Sequence, residues 1–154
     1  MVTDEKIAVI FIGIPASGKS TFFEHTFKGK YEHVNLDTLH KRSKEQALLN
    51  SCILEGKPFV VDNTNPTKED RARYVSVAKA AGYRVDGYFF QSVISDCLER
   101  NANRDGKAKV PDVAIRAVSS KLEMPSIDEG FDALFFVKII DGEFVVDNWK
   151  DTQA

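Results

Sequence analysis

The sequence predicts an α/β fold in which a mostly parallel sheet is flanked by helices and followed by a C-terminal hairpin. Apolar, β-rich runs alternate with helical patterns along the chain, which is typical of a parallel sheet with helices on both faces. A glycine-rich loop separates the first strand from the first helix. Near the C-terminus, Asp141 and Gly142 lie between two short apolar runs and predict a tight hairpin turn.

Each predicted strand is a short apolar run bounded by polar or turn-forming residues. The strands are expected at 6–12, 33–36, 58–62, 84–90, 134–140 and 143–146. Start and stop signals delimit the helices: Asp37 can cap the second helix, Thr67 and Asp70 resemble a capping box, and Pro111 precedes the last helix. The helices are expected at 19–26, 37–54, 67–82, 94–103 and 112–123.

The 154 residues are expected to form one domain, 1–154, with a lid at 104–111 and the hairpin and tail at 134–154. With 43% hydrophobic and 29% charged residues, the chain can build an ordinary core. The net charge of −2 supplies no general basic field for nucleic acid, but it leaves room for a local basic groove. Cys52 and Cys97 are expected as buried free thiols.

The first apolar run, 7–14, is too short for a membrane span and lacks the features of a signal peptide. The two cysteines are far apart and show no metal-binding spacing. We therefore expect a cytoplasmic protein without a membrane partner. The three histidines show no ligand spacing either and are expected at the surface or its boundary, and no feature indicates an oligomeric state.

Residues 13–20 read Gly-Ile-Pro-Ala-Ser-Gly-Lys-Ser and match the Walker A pattern G-x-x-x-x-G-K-[ST] without a gap. In such a loop the backbone N–H groups bind phosphate, the lysine reaches the β- and γ-phosphates, and the serine hydroxyl binds Mg²⁺. The sequence therefore predicts ATP and Mg²⁺ as ligands; the alternative is an ordinary turn with an exposed lysine. The residues of this loop and of the helix start after it that are expected to bind ATP are Gly13, Pro15, Ala16, Ser17, Gly18, Lys19, Ser20 and Thr21.

Polar residues follow the second and third strands, whose carboxyl ends are expected beside this loop. Asp37 is a candidate for the group that accepts the proton of an acceptor hydroxyl, and the alternative is a helix cap. Asp62 ends an apolar strand and is a candidate for supporting Mg²⁺, together with Ser20; the alternative is a turn-forming aspartate. Asn63 and Asn65 can contact substrate or bond within their own turn.

Arg100 and Arg104 are four residues apart and share one face near the end of a predicted helix. The basic segment that follows has the composition of a mobile lid over a nucleotide. An arginine from such a lid can stabilise the charge of a phosphoryl group during transfer. The alternative is a solvated basic helix end, which suits the helix dipole.

These residues resemble those of one family, the kinase domain of polynucleotide 5′-kinases found in phage and animal kinase/phosphatases, within the P-loop NTPase superfamily. The resemblance covers 7–139, nearly the whole chain. The run Asp-Asn-Thr-Asn-Pro at 62–66 and the spacing of the matching stretches are far more specific than the Walker A pattern alone. The matching stretches are 13–21, 31–39, 61–66, 71–74, 100–104 and 124–131.

The resemblance implies a role for each matching residue. Lys19 and Ser20 would bind the triphosphate and the metal, and Asp37 would be the general base toward a 5′-hydroxyl. Asp62 would lie in the region of the site that binds the acceptor and the metal. Arg104 would contact the migrating phosphate, with Arg100 as a weaker second.

Two positions depart from the family pattern. Leu36 stands where the family commonly has an arginine before the general base. His40 stands where phage-type enzymes have an arginine that contacts the acceptor's phosphate, so His40 is expected in the substrate site with a weaker hold on phosphate. The partner phosphatase domain is absent from the sequence, so no 3′-phosphatase activity is expected.

The sequence thus favours an ATP- and Mg²⁺-dependent kinase with an alcohol group as acceptor. The first hypothesis is transfer to the 5′-hydroxyl of a polynucleotide or nucleotide, with nucleic-acid 5′ ends as partners. The second is a small-molecule kinase of the same fold that acts on a nucleoside, sugar or antibiotic. The third is a non-catalytic nucleotide-binding module.

Overall fold

A computed structural model describes residues 5–150 and contains one six-stranded sheet. The strands lie in the order β2-β3-β1-β4-β5-β6; the first five are parallel, and β6 is antiparallel to β5. The predicted α/β fold with a C-terminal hairpin is therefore confirmed. The strands are β1 Ile7–Ile12, β2 Glu32–Val34, β3 Phe59–Val61, β4 Arg84–Phe90, β5 Ala133–Ile140 and β6 Glu143–Asn148.

Six α-helices and two short 3-10 turns connect the strands within residues 5–150. The predicted capping box of Thr67 and Asp70 is present at the start of the fourth helix. No helix in this part of the chain is long and apolar enough to cross a membrane. The helices are α1 Lys19–Thr26, α2 Leu36–Leu39, α3 Arg42–Glu55, α4 Lys68–Ala80, α5 Ile94–Ala102 and α6 Asp112–Lys121, and the 3-10 turns are Gly106–Ala108 and Ile127–Glu129.

The prediction of one helix over 37–54 is wrong, because the segment divides into α2 and α3. His40 adopts a left-handed backbone with φ 67°, and its N–H bonds Leu36 O at 2.7 Å, which ends α2 after one turn. The prediction that Asp37 caps this helix is also wrong. The carboxamide of Asn35 accepts the N–H of Thr38 at 3.0 Å and caps α2, so Asp37 lies in the first turn.

The sheet is covered on both faces, because alternate residues of β1 point to opposite sides. Ala8, Ile10 and Ile12 belong to a core cluster with residues of α3 and α4. Val9 and Phe11 belong to a second cluster, which also contains Phe22 and Phe23 of α1 and Phe27 just after it. Both cysteines are buried with free thiols, as predicted.

The hairpin closes through Asp141 and Gly142, which both have positive φ, as a two-residue turn between antiparallel strands requires. It packs against the glycine loop: a Cβ on Gly18 would lie 3.1 Å from side-chain atoms of both Ile139 and Phe144. Beyond the hairpin, Trp149 packs edge-on against Phe89, with ring centroids 5.2 Å apart, and so attaches the residue after β6 to the core.

A buried ion pair attaches the segment before β5 to the loop after β3. The Arg71 side chain is 0% exposed, and its guanidinium donates to both carboxylate oxygens of Glu129, at 2.8 and 3.2 Å. The remaining N–H groups donate to the carbonyl oxygens of Asn65, Pro66 and Glu123. One side chain therefore holds the backbone of the 63–66 loop, which borders the site described below.

We expect Arg71→Met to lower the free energy of unfolding by about 3–5 kcal/mol, because it removes the cation that pairs with the Glu129 carboxylate and the donors to three carbonyl groups. Urea denaturation monitored by circular dichroism measures this change. Arg73→Ala, on the exposed side of α4, is the matched control and should cost about 0.5 kcal/mol or less. A loss for Arg71→Met no larger than that of the control would contradict a structural role for the ion pair.

Candidate functional site

The loop between β1 and α1 has the backbone shape that its glycines predict. Gly18 has φ 101°, a conformation that favours glycine. A Cβ on Gly13 would lie 2.7 Å from Ser17 Oγ and 3.0 Å from Phe90 Cβ, so no side chain fits there. Ala16 also has positive φ, at 66°, so the loop holds strain at one non-glycine position.

The loop leaves the N-terminus of α1 open toward solvent. The helix has no side-chain cap, and its first backbone hydrogen bond joins Phe22 N–H to Gly18 O at 2.9 Å. Within the described residues, the N–H groups of 18–21 therefore have no helical acceptor. Unpaired N–H groups and the positive end of the helix dipole together form an arrangement that binds phosphate.

The ammonium group of Lys19 lies inside the loop rather than in solvent. It donates to the carbonyl oxygens of Gly13 and Ile14, both at 2.9 Å, and the side chain is almost completely buried. Burial lowers the pKa of Lys19 to about 8, although the nearby carboxylate of Asp62 opposes this shift. Bound phosphate would restore the usual pKa, because an anion in contact favours the charged lysine.

We therefore expect MgATP binding to take up protons above pH 8. With a pKa of about 8 in the free protein, binding takes up about three quarters of a proton at pH 8.5 and about a tenth at pH 7. Isothermal titration calorimetry in buffers of different ionisation enthalpy measures the uptake.

Two variants control this experiment. Lys19→Arg stays positively charged at these pH values. If this variant still binds MgATP, it should do so without proton uptake. Lys44→Met, which removes an exposed lysine of α3, should leave it unchanged. Equal uptake at pH 7 and pH 8.5 would show that Lys19 is already charged in the free protein.

The end of β3 places Asp62 beside the glycine loop. Because Val34 pairs with Val61 in the parallel register of β2 and β3, the next residues, Asn35 and Asp62, emerge side by side. The Ser20 hydroxyl donates to Asp62 Oδ2 at 2.9 Å. Asn35 Nδ2 donates to the Asp62 carbonyl oxygen at 2.6 Å. The two residues predicted to support a metal are therefore in direct contact.

His33 is a further member of the site that the sequence did not indicate. Its Nε2 lies 2.8 Å from Asp62 Oδ2, the same oxygen that accepts from Ser20. The ring stacks on Phe23, with centroids 3.8 Å apart and an interplanar angle of 14°. Its position in a short strand, two residues before Asn35, was the only signal, since isolated histidines are usually unremarkable surface residues.

One cleft of about 770 Å³ opens beside the glycine loop and brings most of the predicted residues together. The Asp37 carboxylate is exposed at this cleft and, with Asn35 acting as the cap, is not used to start α2. His40 lies at the rim, at the end of α2. The predicted residues that line the cleft are Pro15, Ala16, Lys19, Ser20, Thr21, Asp37, His40, Asp62, Asn63 and Arg104.

Asn63 and Asn65 both use their side chains within the fold. Asn63 accepts the N–H of Leu36 at 3.0 Å and donates to the carboxylate of Glu45 at 2.8 Å. Asn65 is buried with φ 44°, and its carboxamide donates to Phe11 O at 2.8 Å. These bonds hold the start of α2 and the 63–66 loop in place; Asn63 also borders the cleft, whereas Asn65 does not.

Arg100 of α5 and Arg104 at the start of the lid differ in their surroundings. Arg100 donates to the carbonyl oxygen of Ala16 at 3.1 Å, which attaches α5 to the glycine loop. Arg104 donates to Ala108 O at 3.1 Å and lines the cleft. Both also border a smaller pocket of about 230 Å³, which lies between the glycine loop and Phe144 of the hairpin.

A second cavity of about 310 Å³ adjoins the cleft at Asp37 and contains positive charge that the sequence pattern did not reveal. Its charged lining consists of three cations and two carboxylates: Arg42, Arg73, Lys121, Asp37 and Asp70. Arg42 is paired with Glu45 at 2.9 Å, whereas no ion pair is seen for Arg73 or Lys121 within residues 5–150. The three cations come from three different helices, so only their packing brings them together.

A Walker A loop with an acidic residue at the neighbouring strand end defines a P-loop nucleotide-binding domain. Residues 9–125 match the model of AAA_33, an AAA domain family, and the chain belongs to this family.

Two relatives refine this assignment. The chain is 33% identical over 129 residues to a bifunctional polynucleotide phosphatase/kinase of Schizosaccharomyces pombe, covering 80% of this chain and 31% of the relative. It is 28% identical over 157 residues to a putative bifunctional polynucleotide phosphatase/kinase of Acanthamoeba polyphaga mimivirus, covering 95% and 37%. The chain thus spans about a third of the length of these relatives. The predicted resemblance to polynucleotide kinases is confirmed.

The fold also matches solved structures. The crystal structure of Chaetomium thermophilum Kti12 in complex with ADP-AlF3 superposes with a TM-score of 0.64 at 17% identity, covering 85% of this chain and 88% of Kti12. At this identity the match supports the fold alone.

Proposed function

We propose that the protein is an ATP-dependent kinase that transfers the γ-phosphate to the 5′-hydroxyl of a polynucleotide. Phosphoryl transfer requires a phosphate cradle, a metal site, a group that orients the acceptor, and positive charge on the migrating phosphoryl group. The observation that carries the proposal is a single cleft lined by residues suited to all four tasks: Lys19, Ser20, Asp37, Asp62 and Arg104.

In the proposed step, the Asp37 carboxylate accepts the proton of the acceptor hydroxyl as that oxygen forms a bond to the γ-phosphorus. The bond from the γ-phosphorus to the oxygen that bridges to the β-phosphate breaks, and ADP leaves with the electron pair. Lys19 and Arg104 stabilise the negative charge on the transferring group.

The residues around Ser20 fit Mg²⁺, which prefers hydroxyl and carboxylate oxygens. Ser20 would hold the ion through its hydroxyl, and Asp62 would support it through water. The hydrogen bond between these two side chains already orients both oxygens. When bound, Mg²⁺ neutralises charge on the β- and γ-phosphates.

The cavity beside Asp37 favours a polynucleotide as acceptor. A 5′-terminal nucleotide bound at Asp37 would continue into phosphodiester groups, and Arg73 and Lys121, which line the adjoining cavity, would be their partners. A neutral nucleoside or sugar offers these two cations no partner. The relatives named polynucleotide phosphatase/kinase support the same acceptor class.

The nucleoside of ATP is assigned to the pocket between the glycine loop and the hairpin. Arg100 and Phe144 border this pocket, as does Arg104, whose guanidinium is assigned to the migrating phosphate. Planar guanidinium and aromatic groups stack on a base without selecting one base strongly. The hairpin, which lies outside the resemblance, would then complete the ATP site.

A small-molecule kinase is the second candidate, because Leu36 and His40 stand where polynucleotide kinases have arginines, the second of which contacts the acceptor's phosphate in phage-type enzymes. Incubation with γ-labelled ATP, Mg²⁺, 5′-hydroxyl oligonucleotides and a panel of nucleosides, sugars and aminoglycosides separates the candidates. Label on oligonucleotides supports the proposal. Label only on a small acceptor overturns it in favour of the second candidate, and ATP binding without label indicates a non-catalytic nucleotide-binding module.

We expect the double variant Arg73→Ala, Lys121→Ala to raise the KM for an oligonucleotide about tenfold, because it removes two phosphate-binding cations. The KM for ATP should stay unchanged, and the salt dependence of oligonucleotide binding should become weaker. Lys68→Ala, on the exposed first turn of α4 and outside the cavity, is the matched control. An unchanged KM in the double variant would remove this cavity from the acceptor site.

A further inference from the structure

Asn101 is a completely buried polar residue at the end of α5, and no step of the proposed reaction uses it. Its side chain is 0% exposed. Nδ2 donates to the carbonyl oxygen of Val110 at 2.6 Å, and Oδ1 accepts the N–H of Val110 at 3.0 Å. One carboxamide therefore pairs with both backbone groups of a residue nine positions further along the chain.

These two bonds close the lid at its base. At the start of the lid, Arg104 N–H donates to the Asn101 carbonyl oxygen at 3.0 Å. At its end, the Val110 side chain packs on the cluster that contains Ile14 and Ala16 of the glycine loop. Both ends of the lid thus meet at Asn101, and one of them is attached to the loop expected to bind phosphate.

The residues between the two ends, 105–109, form a short excursion in which Asp105, Gly106, Ala108 and Lys109 are exposed. It contains the 3-10 turn Gly106–Ala108, and Ala108 O accepts from the Arg104 guanidinium at 3.1 Å. The direction of the Arg104 side chain therefore depends on the path of this excursion. The Asn101 carboxamide sets the distance between the two ends of the excursion and therefore limits the paths that the excursion can take.

We propose that Asn101 is a positioning residue for phosphoryl transfer: it closes the 104–109 loop against Val110 and so directs the Arg104 guanidinium into the cleft of Lys19 and Asp37. This inference rests on the proposed function, in particular on the role of Arg104. It predicts a lid that is anchored at both ends in the free protein, in which only the 105–109 excursion adjusts when nucleotide binds.

The test uses Asn101→Asp, which keeps the shape of the side chain but places a carboxylate oxygen against the Val110 carbonyl. Asn103→Asp is the matched control, since Asn103 is an exposed residue at the same helix end and its carboxamide donates to Glu99 O without touching Val110. We expect Asn101→Asp to lower kcat about 10- to 100-fold, because small displacements of a charged group reduce transfer strongly. The KM for ATP should change less than threefold, and the control should match the wild type.

A double-mutant cycle with Arg104→Ala separates positioning from general destabilisation. If Asn101 acts through Arg104, Asn101→Asp adds less than about threefold to the loss already caused by Arg104→Ala. An additive loss would assign Asn101 a merely structural role and overturn the inference. If Arg104→Ala itself leaves transfer unchanged, the proposed role of Arg104 fails instead, and the inference fails with it.

Asn101→Ala repeats the cycle in case the aspartate variant does not fold. If neither variant folds, hydrogen exchange of the wild-type protein decides the question. The Val110 amide should then exchange as slowly as the amides in the last turn of α5, because it is bonded to a buried oxygen. Exchange at the rate of the 105–109 amides would overturn the inference.

Discussion

Asp37→Asn should lower kcat for transfer to a 5′-hydroxyl oligonucleotide by about 10³-fold while ATP affinity stays within about threefold of the wild type. The carboxamide keeps the shape of the side chain but cannot accept the proton of the acceptor hydroxyl. The Asp37 carboxylate is free for this task because Asn35 caps α2, and Asp37 forms no hydrogen bond or ion pair within residues 5–150. Steady-state kinetics and titration with a fluorescent ATP analogue measure the two quantities.

Asp112→Asn is the matched control for this variant. Asp112 is an exposed aspartate in the first turn of α6, as Asp37 is in the first turn of α2. It should leave kcat unchanged. A comparable kcat for Asp37→Asn and the wild type would mean that Asp37 is not the proton acceptor, and the proposed step would need another base.

Arg104→Ala should lower kcat by about 10³-fold or more, the usual effect of removing an arginine that stabilises phosphoryl transfer. Arg104 is the lid guanidinium that lines the cleft, whereas Arg100 is bonded to the backbone of the glycine loop. Arg104→Lys should recover part of the loss, because it restores the charge but not the planar fork that matches phosphate oxygens. Single-turnover kinetics with saturating ATP measure the chemical step directly.

Arg116→Ala, on the exposed side of α6, is the control for this second variant and should behave as the wild type. A change of only a few fold in Arg104→Ala would argue against a role on the migrating phosphate. A fall in ATP affinity with unchanged kcat would assign Arg104 to the nucleotide pocket that it also borders.

The glycine loop could be predicted from the sequence because its requirements are local. Gly13 faces a contact too close for a Cβ, and Gly18 has a backbone conformation that favours glycine, so both residue types follow from the shape of the loop. The hairpin turn at Asp141 and Gly142 is local in the same sense. The position of Asp62 beside the glycine loop could also be predicted, because the carboxyl ends of parallel strands meet at one edge of a sheet.

Features that depend on packing between distant segments were not predicted. The division of α2 from α3 depends on the left-handed backbone of His40 and on the bond from Leu36 to Asn63. The contact of His33 with Asp62 depends on the register of β2 against β3 and on the stacking of its ring over Phe23. Neither leaves a periodic or motif signal in the sequence.

The sequence by itself determined the class of fold, the glycine loop and the residues proposed for phosphoryl transfer, since each follows from local backbone needs or strand order. Only the tertiary structure decided which groups surround those residues: the cavity with Arg73 and Lys121, and the pairing of Asn101 with Val110. The physical reason is that helix packing and buried hydrogen bonds join residues far apart in the chain. Their distances are set by the whole core and not by any single segment.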